Sequence, residues 1–85
     1  MYVIVVYDVD EKRVKNYHKL LRQYLHWRQR SVFEGYITKN KLKELKEKLF
    51  SLLEKDDYVI IFETKSKENI KIEELTLKEE IPFII

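Results

Sequence analysis

An aspartate directly behind a strand is aimed by its own backbone, and Asp8 stands there, after the run Tyr2–Tyr7. Two roles suit it. It could cap the following helix, since Asp8 and Glu11 have the cap-to-N3 spacing of a capping box, or it could act as an acid or a Mg2+ ligand. One carboxylate holds Mg2+ weakly, because the ion usually gathers one or two carboxylates with waters and phosphates. A two-fold axis beside Asp8 would supply two.

Lys12, Lys15, Lys19, Arg22 and His26 come next in the chain. At about 100° per residue they fall within about 80° of arc on a helix. The stripe contains no acid. It suits an ordinary solvated face, and equally a ladder that follows a phosphate backbone at about one rung per 5 Å turn. Arg13 falls instead in the apolar arc, between Leu20 and Tyr24, where a guanidinium needs a partner; Asp8 is the nearest carboxylate in sequence on that side.

Trp27, Arg28, Gln29 and Arg30 combine a large aromatic with two forked cations, as nucleic-acid contacts do. Strand alternation would put Arg28 and Arg30 on one face and Trp27, Gln29 and Ser31 on the other, so Trp27 suits a core position equally well. His18 and His26 are eight residues apart with no third ligand nearby, which argues against a histidine metal site. Ser31 has no adjacent His and no nucleophile elbow, which argues against nucleophilic catalysis.

The elements that must position these groups follow from periodicity. YVIVVY (2–7) is a β-branched and aromatic run suited to a central strand buried on both faces. Val14, Tyr17, Leu21, Tyr24 and Leu25 predict a helix over residues 12–25. Residues 26–38 suit a hairpin or a bulged strand around the single glycine, Gly35, with no turn position specified. Leu42, Leu45, Leu49 and Leu52 predict a second helix over 39–53, with Glu44 and Lys48 paired outside. YVIIF (58–62) reads as another two-face-buried strand, and IPFII (81–85) as a last, edge strand containing Pro82. This order is that of a single ferredoxin-like α+β domain, a βαββαβ sandwich with an antiparallel sheet and an extra C-terminal strand.

Composition narrows the functions. The 85 residues, 45% apolar and 38% charged, suffice for one modest core. The absence of cysteine excludes disulfides, thiolate metal sites and thiol nucleophiles. One glycine is too few for a Gly-rich phosphate loop. No apolar run approaches the roughly 20 residues of a membrane span, and the N-terminal run has no basic leader, so a soluble cytoplasmic domain without membrane contact is expected. Residues 1–30 hold seven basic and three acidic side chains, a net +4 within a chain of net +2, so polyanion binding belongs to the first half. Two helices cannot cover both faces of so apolar a sheet, and Phe83, Ile84 and Ile85 would leave an exposed edge; a homodimer answers both problems.

YVIVVYDV, Arg13-Val14 and above all Gln29-Arg30-Ser31-Val32-Phe33-Glu34-Gly35 resemble the small CRISPR-associated adaptation nucleases, the partner subunit of the spacer integrase. The resemblance covers nearly the whole chain. It implies a ferredoxin-like homodimer whose last strand, residues 81–85, packs on the partner sheet. It implies either a Mg2+-dependent endonuclease acting on RNA or DNA, or a non-catalytic organiser that clamps duplex DNA in the integration complex. By matching position, Asp8 of each subunit is the expected metal ligand, with Tyr7, Arg13, Ser31 and Phe33 at the catalytic site. Lys12, Lys15, Lys19, Arg22, Arg28 and Arg30 are the expected nucleic-acid contacts. Trp27 departs from the family, where a basic or polar residue is common. A small-ligand regulatory domain fits less well, for want of Gly-rich turns.

Overall fold

The computed structural model describes residues 1–78. The expected strand over residues 81–85 lies outside them. Strand β1, Tyr2–Asp8, leads through a 3-10 turn at Glu11–Arg13 into helix α1, Val14–Leu21. Strands β2, His26–Gln29, and β3, Val32–Tyr36, form a hairpin; helix α2, Lys39–Leu52, and strand β4, Tyr58–Thr64, complete the fold. The sheet is antiparallel in the order β2-β3-β1-β4, the ferredoxin-like arrangement expected.

β1 lies at the centre because its side chains are apolar on both faces. Val3, Val5 and Tyr7 point at the helices and join Tyr17, Leu21, Leu25, Phe33, Leu42, Leu45 and Leu49 in the core. Helix α2 forms where its leucine stripe predicts, capped by the Thr38 hydroxyl, which accepts from the Lys41 amide at 3.2 Å.

Helix α1 is shorter than the 12–25 expected. Its start is tightened into the 3-10 turn by Asp10, and its end unwinds through the bonds Gln23 N to Leu20 O and Tyr24 N to Leu21 O. Residues 22–25 must bury Leu25 and still deliver His26 directly into an edge strand, which a continuing helix could not do. The hairpin turn falls at Arg30-Ser31, with a bulge between Trp27 and Gln29. Arg30 takes φ 34°, whereas Gly35 lies within β3 opposite Val3.

β4 is not buried on both faces. Among the described residues it is the edge of the sheet, and Val59 and Ile61 face the core while Tyr58 is 63% and Phe62 52% exposed, with Ile60 beside them. The helices cover one face only. On the other, the irregular segment after the 3-10 turn at Lys67–Asn69 borders a cleft that it shares with Ile4 and Val32.

Arg13 turns away from Asp8, contrary to expectation, and joins α1 to the α2–β4 connection. Its guanidinium donates to Asp57 and, at 2.6 Å, to the Leu52 carbonyl, with Glu54 3.3 Å from Nε. The same Asp57 oxygen accepts from the Tyr17 hydroxyl at 2.8 Å and the Glu54 amide at 2.9 Å. Burial would push the Asp57 carboxyl up, but the hydrogen bonds from Arg13, the Glu54 amide and Tyr17 outweigh it and hold the pKa below the ordinary carboxylate value.

A carboxyl with a depressed folded pKa adds stability above its unfolded pKa of about 4, and loses that contribution as pH falls through the folded value. Asp57→Asn, which keeps the shape but not the charge, should therefore lower Tm by several degrees near neutral pH. The gap from wild type should shrink as pH falls below about 4. Thermal melts by circular dichroism across this range check it; a gap independent of pH would refute the charge's part.

Candidate functional site

At the C-terminal end of β1 an open cleft of about 260 Å³ is lined by Tyr7, Asp8, Val9, Val14, Arg30 and Ser31. The main chain builds it. Tyr7 donates its amide to the Ser31 carbonyl at 3.1 Å, so the β2–β3 turn is drawn against the end of β1, and Asp8 pairs in register with Tyr58 of β4. Asp8 is thus fixed by the sheet while its side chain is exposed. Among the described residues its carboxylate has no hydrogen-bond or ion-pair partner. The capping role belongs to Asp10, whose carboxylate accepts from the Lys12 amide at 2.9 Å. The two acids stand two residues apart, but only Asp10 lies where the 3-10 turn begins.

Tyr7 lines the cleft from the core side, and Phe33 lies behind it, outside the lining. Successive strand residues face opposite ways; hence Tyr7, next to Asp8, points into the core, 2% exposed, stacked on Tyr17 at 5.4 Å and on Phe33 at 6.4 Å between centroids. Burial pushes the Tyr7 phenol up, so it stays protonated at neutral pH and cannot act as a base. Phe33 is fully buried. Ser31 and Arg30 reach the cleft; Arg13 does not, its donors being turned to Asp57, Glu54 and Leu52.

The expected cations divide into two groups. Lys12, Lys15, Lys19, Arg22 and Arg30 are exposed, and among the described residues none has an acidic partner. Lys15 and Lys19 lie in α1, Lys12 in the turn before it and Arg22 at its C-cap, so the ladder survives the shortening of the helix, whereas His26 passes to β2. Arg28 is committed elsewhere: on the far face of the sheet it bridges Glu34 at 2.9 Å and Glu74 at 2.8 Å. It is not presented to a ligand as a phosphate contact would be. The sequence reading missed Asp57, Glu34 and Glu74 as the partners of the two inward arginines, because each lies far along the chain or across the bulge.

A metal would find a single carboxylate here. Among the described residues there is no group of three or more His, Cys, Asp or Glu side chains able to hold one. The exposed, unpartnered Asp8 nonetheless fits Mg2+, which takes one or two carboxylates and fills its remaining positions with waters and phosphate oxygens. No helix among the described residues is long and apolar enough to cross a membrane.

Residues 1–72 match the family model described as CRISPR associated protein Cas2. A protein of Methanosarcina acetivorans named CRISPR-associated endoribonuclease Cas2 is 40% identical over 76 residues, covering 88% of this chain and 87% of the relative. A protein of the same name from Pyrococcus furiosus is 41% identical over 83 residues, covering 93% and 98%. Among solved structures, one described as the crystal structure of Cas2 superposes with a TM-score of 0.85 at 45% identity, covering 100% of this chain and 98% of the other. Streptococcus pyogenes Cas2 gives 0.78 at 26% identity, covering 89% and 100%.

Asp10→Ala should cost about 0.5–2 kcal/mol, the usual loss on removing a cap, whereas Asp8→Ala should stay within about 0.5 kcal/mol of wild type, as exposed unpartnered side chains do. Urea denaturation of both variants measures this. The reverse ranking would return the cap to Asp8.

Proposed function

The chain belongs to the Cas2 family of CRISPR-associated proteins, and from that premise we propose that it is a homodimeric, Mg2+-dependent endonuclease of spacer acquisition that cuts RNA. The observation carrying this reading is the free Asp8 carboxylate, fixed by the sheet at the mouth of a cleft beside an unpaired cationic ladder. The relatives' name, endoribonuclease, favours RNA over DNA.

Asp8 of each subunit would hold the ion, two carboxylates being supplied where one chain has one. Mg2+, when bound, supplies Lewis-acid charge to the phosphate and lowers the pKa of a water. The chain's own residues do the rest. Arg30, exposed at the cleft, offers a guanidinium to the phosphate charge that grows in the transition state. Ser31 lines the cleft as a hydrogen-bond group, and Tyr7, neutral and buried, closes its floor against the core. Lys12, Lys15, Lys19 and Arg22 hold the strand through its phosphates, which positions without reading sequence. In hydrolysis the water oxygen bonds to phosphorus, the bond to the leaving oxygen breaks, and one proton is passed from the water to that oxygen by way of solvent.

The bare outer side of β4 supports the dimer. Tyr58, Ile60 and Phe62 form an apolar row beside the half-buried Ile4 and Val6, on a strand whose outer edge has no neighbour among the described residues. Such an edge invites pairing with a second copy. The DNA-clamping organiser of an integration complex, docked to the integrase subunit, needs the same dimer and the same ladder but no metal.

Asp8→Asn should fold, dimerise and bind nucleic acid, but lose Mg2+-dependent cleavage of RNA in a gel assay across a Mg2+ titration. Cutting at the wild-type rate with the same Mg2+ dependence would sink the catalytic role of Asp8 and favour the organiser. Phe62→Glu should shift sedimentation from about twice 10.5 kDa toward 10.5 kDa itself; a variant that remains fully dimeric would put the interface elsewhere.

A further inference from the structure

Trp27 is the single tryptophan of the chain and is 45% exposed, on the edge strand β2. A side chain so apolar left half in water is ordinarily loose or covered by something. This one is not loose. Its indole Nε1 donates to the Arg30 carbonyl at 3.0 Å, and the ring meets His18 edge to face at 5.5 Å and 66°. His18 is in turn braced edge to face on the buried Phe33 at 5.1 Å and 73°. The indole is therefore fixed from the hairpin and from α1, with its only polar atom already used. What remains to offer a ligand is aromatic surface.

The surroundings of that surface are cationic. Lys15 and Arg22 lie one turn before and one turn after His18 on the same side of α1, and Lys19 follows His18 directly. Arg30 stands at the hairpin turn whose carbonyl holds the indole. All four are exposed and, among the described residues, without an acidic partner. A fixed aromatic face framed by unpaired cations fits a single-stranded nucleic acid: the cations take the phosphates and the ring takes a base. A duplex cannot use such a face, because its bases already stack on one another.

We infer that Trp27 is a stacking platform for an unpaired base of a single-stranded nucleic acid whose backbone runs along α1. This rests on the nucleic-acid reading of the cationic ladder and gives it a substrate class. Arg30 belongs to both places, holding Trp27 through its carbonyl and lining the Asp8 cleft, so a strand anchored on the indole lies one hairpin turn from the carboxylate. The platform stays open in the proposed dimer, since β2 and β4 are opposite edges of the sheet.

A single tryptophan makes the test direct. The full-length dimer is titrated, with a chelator present to prevent cutting, with a short single-stranded RNA, the same sequence as single-stranded DNA, and the blunt RNA duplex. Indole emission should be quenched by either single strand and not by the duplex. Trp27→Leu should weaken single-strand binding roughly 5- to 140-fold, the factor corresponding to about 1–3 kcal/mol per stacked base. Trp27→Tyr should keep most of the affinity, and duplex binding should be unchanged in both variants. Single-strand binding that leaves the emission and the Trp27→Leu affinity unchanged would overturn the platform while leaving the ladder in place. Failure of every nucleic acid to bind wild type would overturn both.

Discussion

One carboxylate oxygen, on Asp57, takes hydrogen bonds from the Arg13 guanidinium, the Tyr17 hydroxyl and the Glu54 amide. It joins the start of α1, the body of α1 and the connection from α2 to β4. The next residue, Tyr58, opens β4 and stands opposite Asp8 in the ladder. The carboxylate that ties α1 to the α2–β4 connection thus stands one residue before β4, whose first residue pairs with the end of β1. Buried charges are tolerated only when paired and hydrogen-bonded. Asp57 meets that condition with an arginine that also donates to the Leu52 carbonyl and pairs with Glu54. An arginine engaged in this way at each of its three nitrogens is turned away from the cleft. Its bearing on the cleft is positional, through the frame that presents Asp8.

A second constraint is the one-sidedness of the sheet. β1 is apolar on both faces, but α1 and α2 lie on one, and among the described residues the other is divided between the segment 72–78 and open surface along β4. Arg28, Glu34 and Glu74 tie the segment down on the β2–β3 side. The β4 side keeps its apolar row. The polar far face next to β2 and the apolar far face next to β4 thus serve different ends, one closed within the chain and one suited to a second copy.

Much of this was legible in the sequence. Helix α2 was readable almost to the residue because its leucines repeat at helical spacing, and β1 because a run of β-branched and aromatic residues favours a strand. The hairpin turn was not readable: the one residue that advertises a turn, Gly35, sits inside β3, while the left-handed position is filled by Arg30. Asp8 was singled out correctly as a strand-end carboxylate, but its competition with Asp10 for the cap could be decided only by where the 3-10 turn begins. The partner of Arg13 was out of reach for a different reason. Sequence proximity pointed to Asp8, five residues away, whereas tertiary packing brought Asp57 from 44 residues away. Local pattern fixes which faces are apolar; it does not say which acid will meet a buried guanidinium.

The cations of the first thirty residues can now be divided by use. Arg13 and Arg28, the two whose side chains turn inward, are both arginines, as expected where a fork must satisfy several acceptors at once. Their charges are neutralised within the protein and add little to its outward field. Lys12, Lys15, Lys19, Arg22 and Arg30 keep theirs, on one side of α1 and at the hairpin turn. The three acids of the same stretch, Asp8, Asp10 and Glu11, all lie between the end of β1 and the 3-10 turn, with Asp10 turned to the Lys12 amide and Asp8 facing the cleft. The resulting field runs from a cationic ladder to an anionic point at the end of β1. In the proposed reading that polarity would draw a polyanion to the helix, and a cation between the carboxylate and a phosphate would offset the repulsion of their like charges.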